Sequence, residues 1–557
     1  MENKTTIPET ADALNYYIKG QLAMKKPIAP GQIIEMLLSG IEKSTTFYCI
    51  KETDELIFYE HETKRYSDAG SKHVHGFCES VIRKANVVHH VQTAPIGEVE
   101  NHVRRMAYVP QSEFESENLV YIPLKNGILD IQTGELLEYC SEYRFLKTLA
   151  VEYKPEAKCP TFEKFLDDIC VDSELNPDLK MRKAIIQLFA YCLWRAFPVQ
   201  NVFFLIGGGA NGKGVLLGTL QAFLGDENVA NRSILSLSDN RFAGADLYRK
   251  HANISNELTV EEVSNVDLLK SLVSGTDHVS AERKHQQPFS FLNYAKIIIA
   301  TNAPPKTKDA TDGFYRRLNL IRFTRRFVGA DDKKELSKKL REPDELSGIL
   351  NLALVELREW VKEGEFSSEC DFANYQPVDE KREIYERISD SIAAFRYDCL
   401  EITGDEEDYV AKDQLFMAYR DYCKTNKIGA QTETKFWRDF RTQTIGSVVD
   451  KRVGAGKIRS LAGLVIKDGK ISKVATYPPF SPPAVLIDTG LYIIPKAIED
   501  ASIKNNGYVA TRILRETPSW VGSDGKSYGS YQPGQSILLP EIEAKWLVEN
   551  ELGELIK

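Results

Sequence analysis

Two nearly unbroken apolar runs mark the middle of the chain. Val202-Phe203-Phe204-Leu205-Ile206 stops at a glycine cluster, and Ala295–Thr301, apolar except for Lys296 and its last residue, stops at Asn302. Runs of this length without alternation predict buried strands. Between them, Val215-Leu216-Leu217-Gly218-Thr219-Leu220 suits a helix, and His251–Glu257 leans apolar and closes on a carboxylate. Strand, helix and strand in this order predict an α/β core over 197–330.

The pattern differs on either side. Residues 1–40 read as a helical lead-in, and 41–120 hold short alternating stretches such as Phe47–Ile50 and Leu56–Tyr59. Together, 1–120 form an α+β region whose role is not legible. Over 121–155, Asn126-Gly127 and Thr133-Gly134 flank a strand and predict a hairpin. A helical pair follows, completing a segment 121–196. Beyond the core, Leu346, Ile349, Leu350, Ala353, Leu357 and Val361 keep helical spacing, and polar Lys362–Asp379 reads as a linker, so 331–380 is a helical segment and linker. In 381–473, two helices (from Asp413, and Thr432–Thr442) precede a hairpin tipped by Gly454-Ala455-Gly456. The proline-rich 477–483 is a hinge, and 500–557 reads as a small β-rich module with a closing helix.

Composition narrows this multidomain α/β reading. The apolar content of 43% supports ordinary cores. Nine cysteines without a C-x-x-C pair argue against a zinc ribbon and a disulfide scaffold and fit a reducing cytoplasm. No apolar run is long enough to span a bilayer, and MENKTTIPET lacks the apolar segment of a secretory signal, so the expectation is a cytoplasmic protein with no membrane partner. The net charge of −9 does not advertise a nucleic-acid ligand, which leaves local basic patches to decide. Residues 1–120 contain no D-x-D pair to hold two metals, which disfavours priming chemistry.

The chemistry starts after the first apolar run. Gly207-Gly208-Gly209-Ala210-Asn211-Gly212-Lys213-Gly214-Val215 is a glycine-rich turn between a strand and a helix start. Such a turn aims backbone N–H groups at a phosphate chain, the helix N-terminus adds positive potential, and Lys213 reaches the β- and γ-phosphates. ATP is the expected ligand, with Mg²⁺. Gly214 departs from the usual pattern, in which Ser or Thr places a hydroxyl on the metal. Glu257 is a candidate general base and weak Mg²⁺ ligand, but Asn256 beside it replaces the Asp that many such sites carry. Direct protein ligation of Mg²⁺ is therefore thin, and the ion keeps more of its waters.

Three further strings follow in order: Ala281-Glu282-Arg283-Lys284-His285-Gln286-Gln287-Pro288-Phe289-Ser290-Phe291, Asn302-Ala303-Pro304-Pro305, and Asp312-Gly313-Phe314-Tyr315-Arg316-Arg317. With the glycine loop they resemble the superfamily 3 helicases of the AAA+ class. NGILDIQTGEL, with Tyr153–Pro155 and Cys159-Pro160, resembles the segment that precedes the ATPase in phage, plasmid and poxvirus primase-helicases. The resemblance implies that Asn302 orients the attacking water. It makes Arg316 or Arg317 reach a neighbouring subunit's γ-phosphate, and places Lys284-His285 at the tip of a hairpin that grips single-stranded DNA. Standing alone, the arginines read as a solvated basic pair.

The helix over Thr432–Thr442 turns Phe436 and Phe440 inward and Lys435, Arg438 and Arg441 outward; Lys451, Arg452 and Lys457 follow in a basic stretch. Helix, helix and basic hairpin resemble the winged-helix DNA-binding domain that ends many primase-helicases, with a solvated basic face as the alternative. The tail resembles the small domain of archaeal GINS proteins, which implies a replisome contact. The leading expectation is an ATP-driven 3′→5′ DNA helicase, a homo-hexamer on single-stranded and forked DNA, replicating a virus, plasmid or integrated element. The alternative is an ATP-switched origin-binding loader that does not unwind.

Overall fold

A computed structural model of the chain describes residues 3–467, apart from 92–93, 115–118, 241, 256–265, 285–286, 303, 305–310, 328–334, 363–364, 368–370, 427 and 454–456. Beyond 467 it describes only strands between Tyr508 and Leu555. Two compact units result, Met1–Phe480 and Ser481–Lys557.

The middle of the first unit is a parallel five-stranded sheet. In chain order its region contains β1 (Val202–Ile206), β2 (Val229–Ala230), β3 (Ala252–Ser255), a hairpin of β4 (His278–Ala281) and β5 (Phe289–Leu292), then β6 (Lys296–Thr301) and β7 (Leu318–Arg322). The sheet order is β7-β1-β6-β3-β2. β1 and β6 are buried at every position, as expected of strands covered on both faces. The register pairs Val202 with Ile297 and Leu318 at one end, and Ile206 with Thr301 and Arg322 at the other.

One hydrophobic core runs without a break from Val120 to Tyr385. It takes in the meander Tyr121–Leu124, Gly127–Asp130 and Leu136–Leu137, the helices Pro160–Ile169 and Leu179–Leu193, the sheet, and the helix Pro343–Trp360. Asp178 caps the second helix by accepting from Met181 N at 2.9 Å. That helix is buried at every position from Ala184 to Leu193, so it belongs to the interior. It meets Pro343–Trp360 through Gln187 Nε2, which donates to Glu356 Oε2 at 3.0 Å.

Two details differ from the sequence pattern. Val361 leaves the helix and starts a two-stranded ribbon, pairing with Phe366. Within the polar stretch 362–379, Phe372 is only 3% exposed and packs its ring on Tyr191, Phe203 and Trp360. A single Phe buried this way stabilises by about 2–3 kcal/mol, enough to fasten the segment to the core.

Residues 3–109 build a separate small core, in which four helices cover the sheet Arg65–Ser67, Leu56–Glu60, Phe47–Ile50, Tyr108–Val109. Residues 391–466 build another. The helix Ser391–Cys399, strand Tyr409–Ala411, helices Lys412–Thr425 and Glu433–Gln443, and strands Val449–Val453 and Ile458–Ala462 follow in order. Phe395, Leu415, Tyr419, Phe436 and Phe440 are buried at its centre.

The second unit holds a three-stranded antiparallel sheet with Tyr508–Ile513 between Ser536–Pro540 and Gly553–Leu555, plus the small hairpin Trp520–Val521 with Ser527–Tyr528. The closing helix expected of this tail falls on 541–552, outside the described residues.

Candidate nucleotide site and nucleic-acid surface

The buried strand β1 delivers the chain to the glycine loop at the carboxyl end of the sheet. Gly207 has no room for a side chain: a Cβ would lie 2.4 Å from Asn211 Nδ2 and 2.5 Å from Phe323 O. Gly212 has φ +88°, and a Cβ there would lie 2.8 Å from Ile169 Cγ2. These two positions fix the turn, whereas Gly208, Gly209 and Gly214 face open space. The helix Lys213–Leu224 begins directly after Gly212. Its first side chain folds back so that Lys213 Nζ donates to Gly207 O at 2.5 Å, Gly208 O at 3.2 Å and Asn211 Oδ1 at 3.2 Å. Burial pulls the Lys213 ammonium down to about 8.

The neighbouring strands finish the loop. Thr301 O, at the end of β6, accepts from Gly207 N at 3.2 Å, so Asn302 emerges exposed beside the loop. The chain leaving β7 binds from the other side: Phe323 N donates to Ile206 O at 2.7 Å and Phe327 N to Ala210 O at 2.6 Å. Exposed Arg326 is therefore carried to the loop within the same chain, a placement sequence reading missed. Its only signal was the Arg325-Arg326 pair just past β7.

The exposed backbone of Gly208, Gly209 and Ala210, a lysine at a helix start, and the buried Asn211 Nδ2, which has no hydrogen-bond partner, together suit a phosphate chain. The described residues fit Mg²⁺ less well. Gly214 offers no ligand atom, and no group of three or more His, Cys, Asp or Glu among the described residues could hold a metal. Asn256 and Glu257 lie outside the described residues; β3 is described as far as Ser255, which pairs with Ile299.

Arg316 and Arg317 stand at the opposite end of the same strands. Val202 N donates to Arg317 O at 2.7 Å, at the amino ends of β1 and β7. Five strand residues at about 3.3 Å each separate this point from the loop, about 15–20 Å in all. The pair cannot reach its own chain's loop. Arg316 is exposed and donates to Gln200 Oε1 at 3.5 Å. Arg317 Nη1 donates to Gly313 O at 2.6 Å, while its Nε is buried without a partner. Burial and the adjacent Arg316 hold Arg317 below the ordinary arginine range.

The β4–β5 hairpin alternates as a half-buried ribbon should, with Val279, Ala281, Phe289 and Phe291 inward. Both phenylalanines pack on Tyr248, with ring centroids 5.2 Å away in each case. Lys284 is exposed in the turn between the strands, and His285 lies outside the described residues. Glu55 from the N-terminal region clasps the base of this turn, accepting from Arg283 Nη1 at 2.8 Å and Arg249 Nη1 at 2.7 Å.

In the 391–466 core, helix Glu433–Gln443 presents exposed Arg438 and Arg441 and half-buried Lys435. Several of these cations have acidic company: Arg438 with Asp439 at 2.9 Å, Arg441 with Asp450 at 2.8 Å, and Lys451 with Glu407 at 3.3 Å. Arg452 and Lys457 are exposed beside the segment 454–456. The basic face is thus partly neutralised by its own acids, which the spacing of basic residues did not reveal.

Comparisons with known proteins divide along these lines. Residues 43–171 match a family described as "D5 N terminal like", and residues 205–317 match a family of unknown function, DUF5906. A helicase-named protein of Acanthamoeba polyphaga mimivirus is 25% identical over 348 residues, covering 58% of this chain and 35% of that one. A primase-named protein of African swine fever virus is 25% identical over 227 residues, covering 39% of this chain and 23% of that one. A helicase-named protein of Invertebrate iridescent virus 3 is 23% identical over 240 residues. The chain thus spans between about a quarter and a third of the length of these relatives. Among solved structures, the C-terminal region of NrS-1 aligns over 78% of this chain and 99% of its own at 15% identity, with a TM-score of 0.44. The chain is similar to viral proteins named as helicases and primases, in keeping with the primase-helicase likeness of its motifs. Among the described residues no helix is long and apolar enough to cross a membrane.

Proposed function

We propose that the chain is an ATP-hydrolysing DNA helicase of superfamily 3 type that serves replication of a virus or mobile element. The observation that carries this reading is the sheet's polarity. Lys213 and Asn302 sit at one end of β1 and β6, and Arg316-Arg317 at the other end of β1 and β7. A ring of identical copies brings the arginine end of one against the loop end of the next, so each ATP is cleaved between subunits. Six copies are the expected number.

In this scheme the loop N–H groups and Lys213 hold the β- and γ-phosphates, and Asn302 orients the attacking water. Glu257 accepts the water's proton. Arg316 or Arg317 of the next copy stabilises transition-state charge at the γ-phosphate, an effect worth about 10³–10⁵ in rate in analogous enzymes. Mg²⁺ would supply neutralising charge to the triphosphate, with Glu257 as its one weak protein ligand. Lys284, with His285, grips one DNA strand through its phosphates, and hairpin movement pulls that strand in the 3′→5′ sense. The 391–466 core, read as a winged helix, contacts DNA through Lys435, Arg438, Arg441, Lys451, Arg452 and Lys457. The tail module is a contact for another replication protein.

Strand displacement on a forked substrate tests the reading. Lys213→Ala abolishes hydrolysis and unwinding together. Lys284→Ala keeps basal hydrolysis and loses unwinding; unwinding at the unsubstituted rate rejects the role of the hairpin. A protein that hydrolyses ATP under DNA stimulation but never separates strands is the loader instead.

A further inference from the structure

The arginine segment is wired to the 391–466 core. Helix Val378–Ser389 lies against the short helix Asp312–Tyr315, which leads into Arg316 and Arg317. Three polar contacts join them. Lys381 Nζ, on a side chain only 6% exposed overall, donates to the backbone carbonyl of Arg316 at 3.2 Å. Arg382 Nη2 donates to Asp312 Oδ1 at 2.5 Å. Tyr315 is 1% exposed, and its hydroxyl donates to Glu386 Oε1 at 3.2 Å.

The other oxygen of Glu386 is held from the next helix. Glu386 Oε2 accepts from Arg396 Nη2 at 3.2 Å and Tyr397 Oη at 2.8 Å, both on helix Ser391–Cys399. That helix belongs to the C-terminal core. Ser391 Oγ bonds Tyr419 Oη at 2.8 Å, Asp398 Oδ2 accepts from Tyr422 Oη at 2.6 Å, and Asp398 is also paired with Arg387. Tyr419 lies on Phe436 with ring centroids 4.6 Å apart, and Phe436 is on the same helix as Lys435, Arg438 and Arg441. A continuous path of packed and hydrogen-bonded groups therefore runs from the basic helix to the arginines.

We propose that Glu386 and Lys381 are positioning residues for Arg316 and Arg317, and that through Glu386 DNA held on the 391–466 core sets how those arginines present themselves to a neighbouring copy. This rests on the reading that the arginines act on a neighbour's ATP. In this role neither residue contacts the nucleotide; both act through the arginine segment. Lys381 fixes the Arg316 peptide, and Glu386 fixes the turn before it through Tyr315. Misplacing a charge-stabilising group by about 1 Å can cost about 100-fold in rate.

Mixed assemblies of full-length protein separate the two readings. Lys213→Ala copies lack a working loop but keep their arginines; copies carrying Arg316→Ala and Arg317→Ala have the reverse defect. Mixing these restores hydrolysis if the arginines serve a neighbour, and no restoration overturns that reading. Tyr315→Phe removes one hydroxyl from a buried ring, and Glu386→Gln removes one charge. Each is expected to lower kcat about 10–100-fold with KM for ATP within about twofold, and to be restored by Lys213→Ala copies. If the arginine variants are restored but Tyr315→Phe and Glu386→Gln are not, or if both hydrolyse ATP at the unsubstituted rate, the positioning role is wrong although the shared site stands. The ratio of hydrolysis with and without forked DNA reads the link to the 391–466 core. It falls to about one in Arg396→Met and in Tyr397→Phe, and an undiminished ratio overturns the link.

Discussion

Replacing Glu55 by Gln should loosen the β4–β5 hairpin from a distance. The Glu55 side chain is 17% exposed and joins Arg249 and Arg283, whose side chains are 7% and 29% exposed. Only the Arg283 bond restrains the hairpin, because Arg249 belongs to the core beneath it. A charge-assisted hydrogen bond contributes about 1.5–3 kcal/mol, and partial exposure of Arg283 trims this to about 1–2.5 kcal/mol. Some packing survives, since the Arg283 guanidinium also lies 5.0 Å from the Phe289 ring centre. At about 1.4 kcal/mol per factor of ten, local opening of the hairpin should become about 5–60 times more frequent. Amide hydrogen exchange over 278–292 reads this directly, with the 202–206 strand as internal control. Single-stranded DNA affinity should weaken in parallel, because Arg283 immediately precedes Lys284. A double-mutant cycle with Arg283→Met assigns the effect to the pair. Exchange within twofold of the unsubstituted protein, or additive effects in the cycle, would refute the clasp.

Three other outcomes are expected. Gly214→Ser should fold normally, since a Cβ there meets nothing within 4 Å, and should lower the Mg²⁺ concentration needed for half-maximal hydrolysis; an unchanged Mg²⁺ requirement removes Gly214 from the metal side of the site. His251 is buried with Nδ1–H donating to Cys192 O at 2.8 Å, and burial pushes it down to about 3. The unfolded chain takes up this proton near pH 6.5 while the folded one stays neutral, so stability falls as pH drops below 6.5, by about 2 kcal/mol at pH 5. His251→Gln should flatten that decline in the urea midpoint, and an unaltered pH profile counts against it. Asp450→Asn releases Arg441 and Lys412, and should tighten duplex binding about 3–10-fold with a salt slope steeper by about one; an unchanged slope means the helix does not face DNA.

What could be read from the sequence was local. β1 and β6 were plain as apolar runs, whereas the hairpin between them was expected only from the family resemblance; its inward Val279, Ala281, Phe289 and Phe291 became evident in the structure. The loop could be placed because its glycines serve the geometry of one turn. What escaped depends on packing between distant segments. Phe372 alone in a polar stretch has no period, so nothing local signals that it plugs the core beside Trp360. Lys296, inside an apolar strand, is fully buried because Trp194 O, Ala196 O and Tyr294 O accept from its ammonium at 2.7, 2.7 and 2.9 Å. Its partners lie in a segment 100 residues earlier and in the preceding turn. The distance between the arginines and the loop follows from strand order, which no single motif encodes. The acids that accompany Arg441 and Lys451 come from the neighbouring hairpin and loop, where counting basic residues does not look.

If the arginines serve a neighbour's loop, as proposed, their placement opposite the loop along β1 and β7 makes hydrolysis depend on numbers. On that reading a lone copy carries two half-sites and completes neither. An open string of copies always leaves one loop and one arginine pair idle at its ends, and only closure engages every loop. Specific activity should therefore climb with protein concentration and level off where rings close. Dilution should silence the protein without unfolding it.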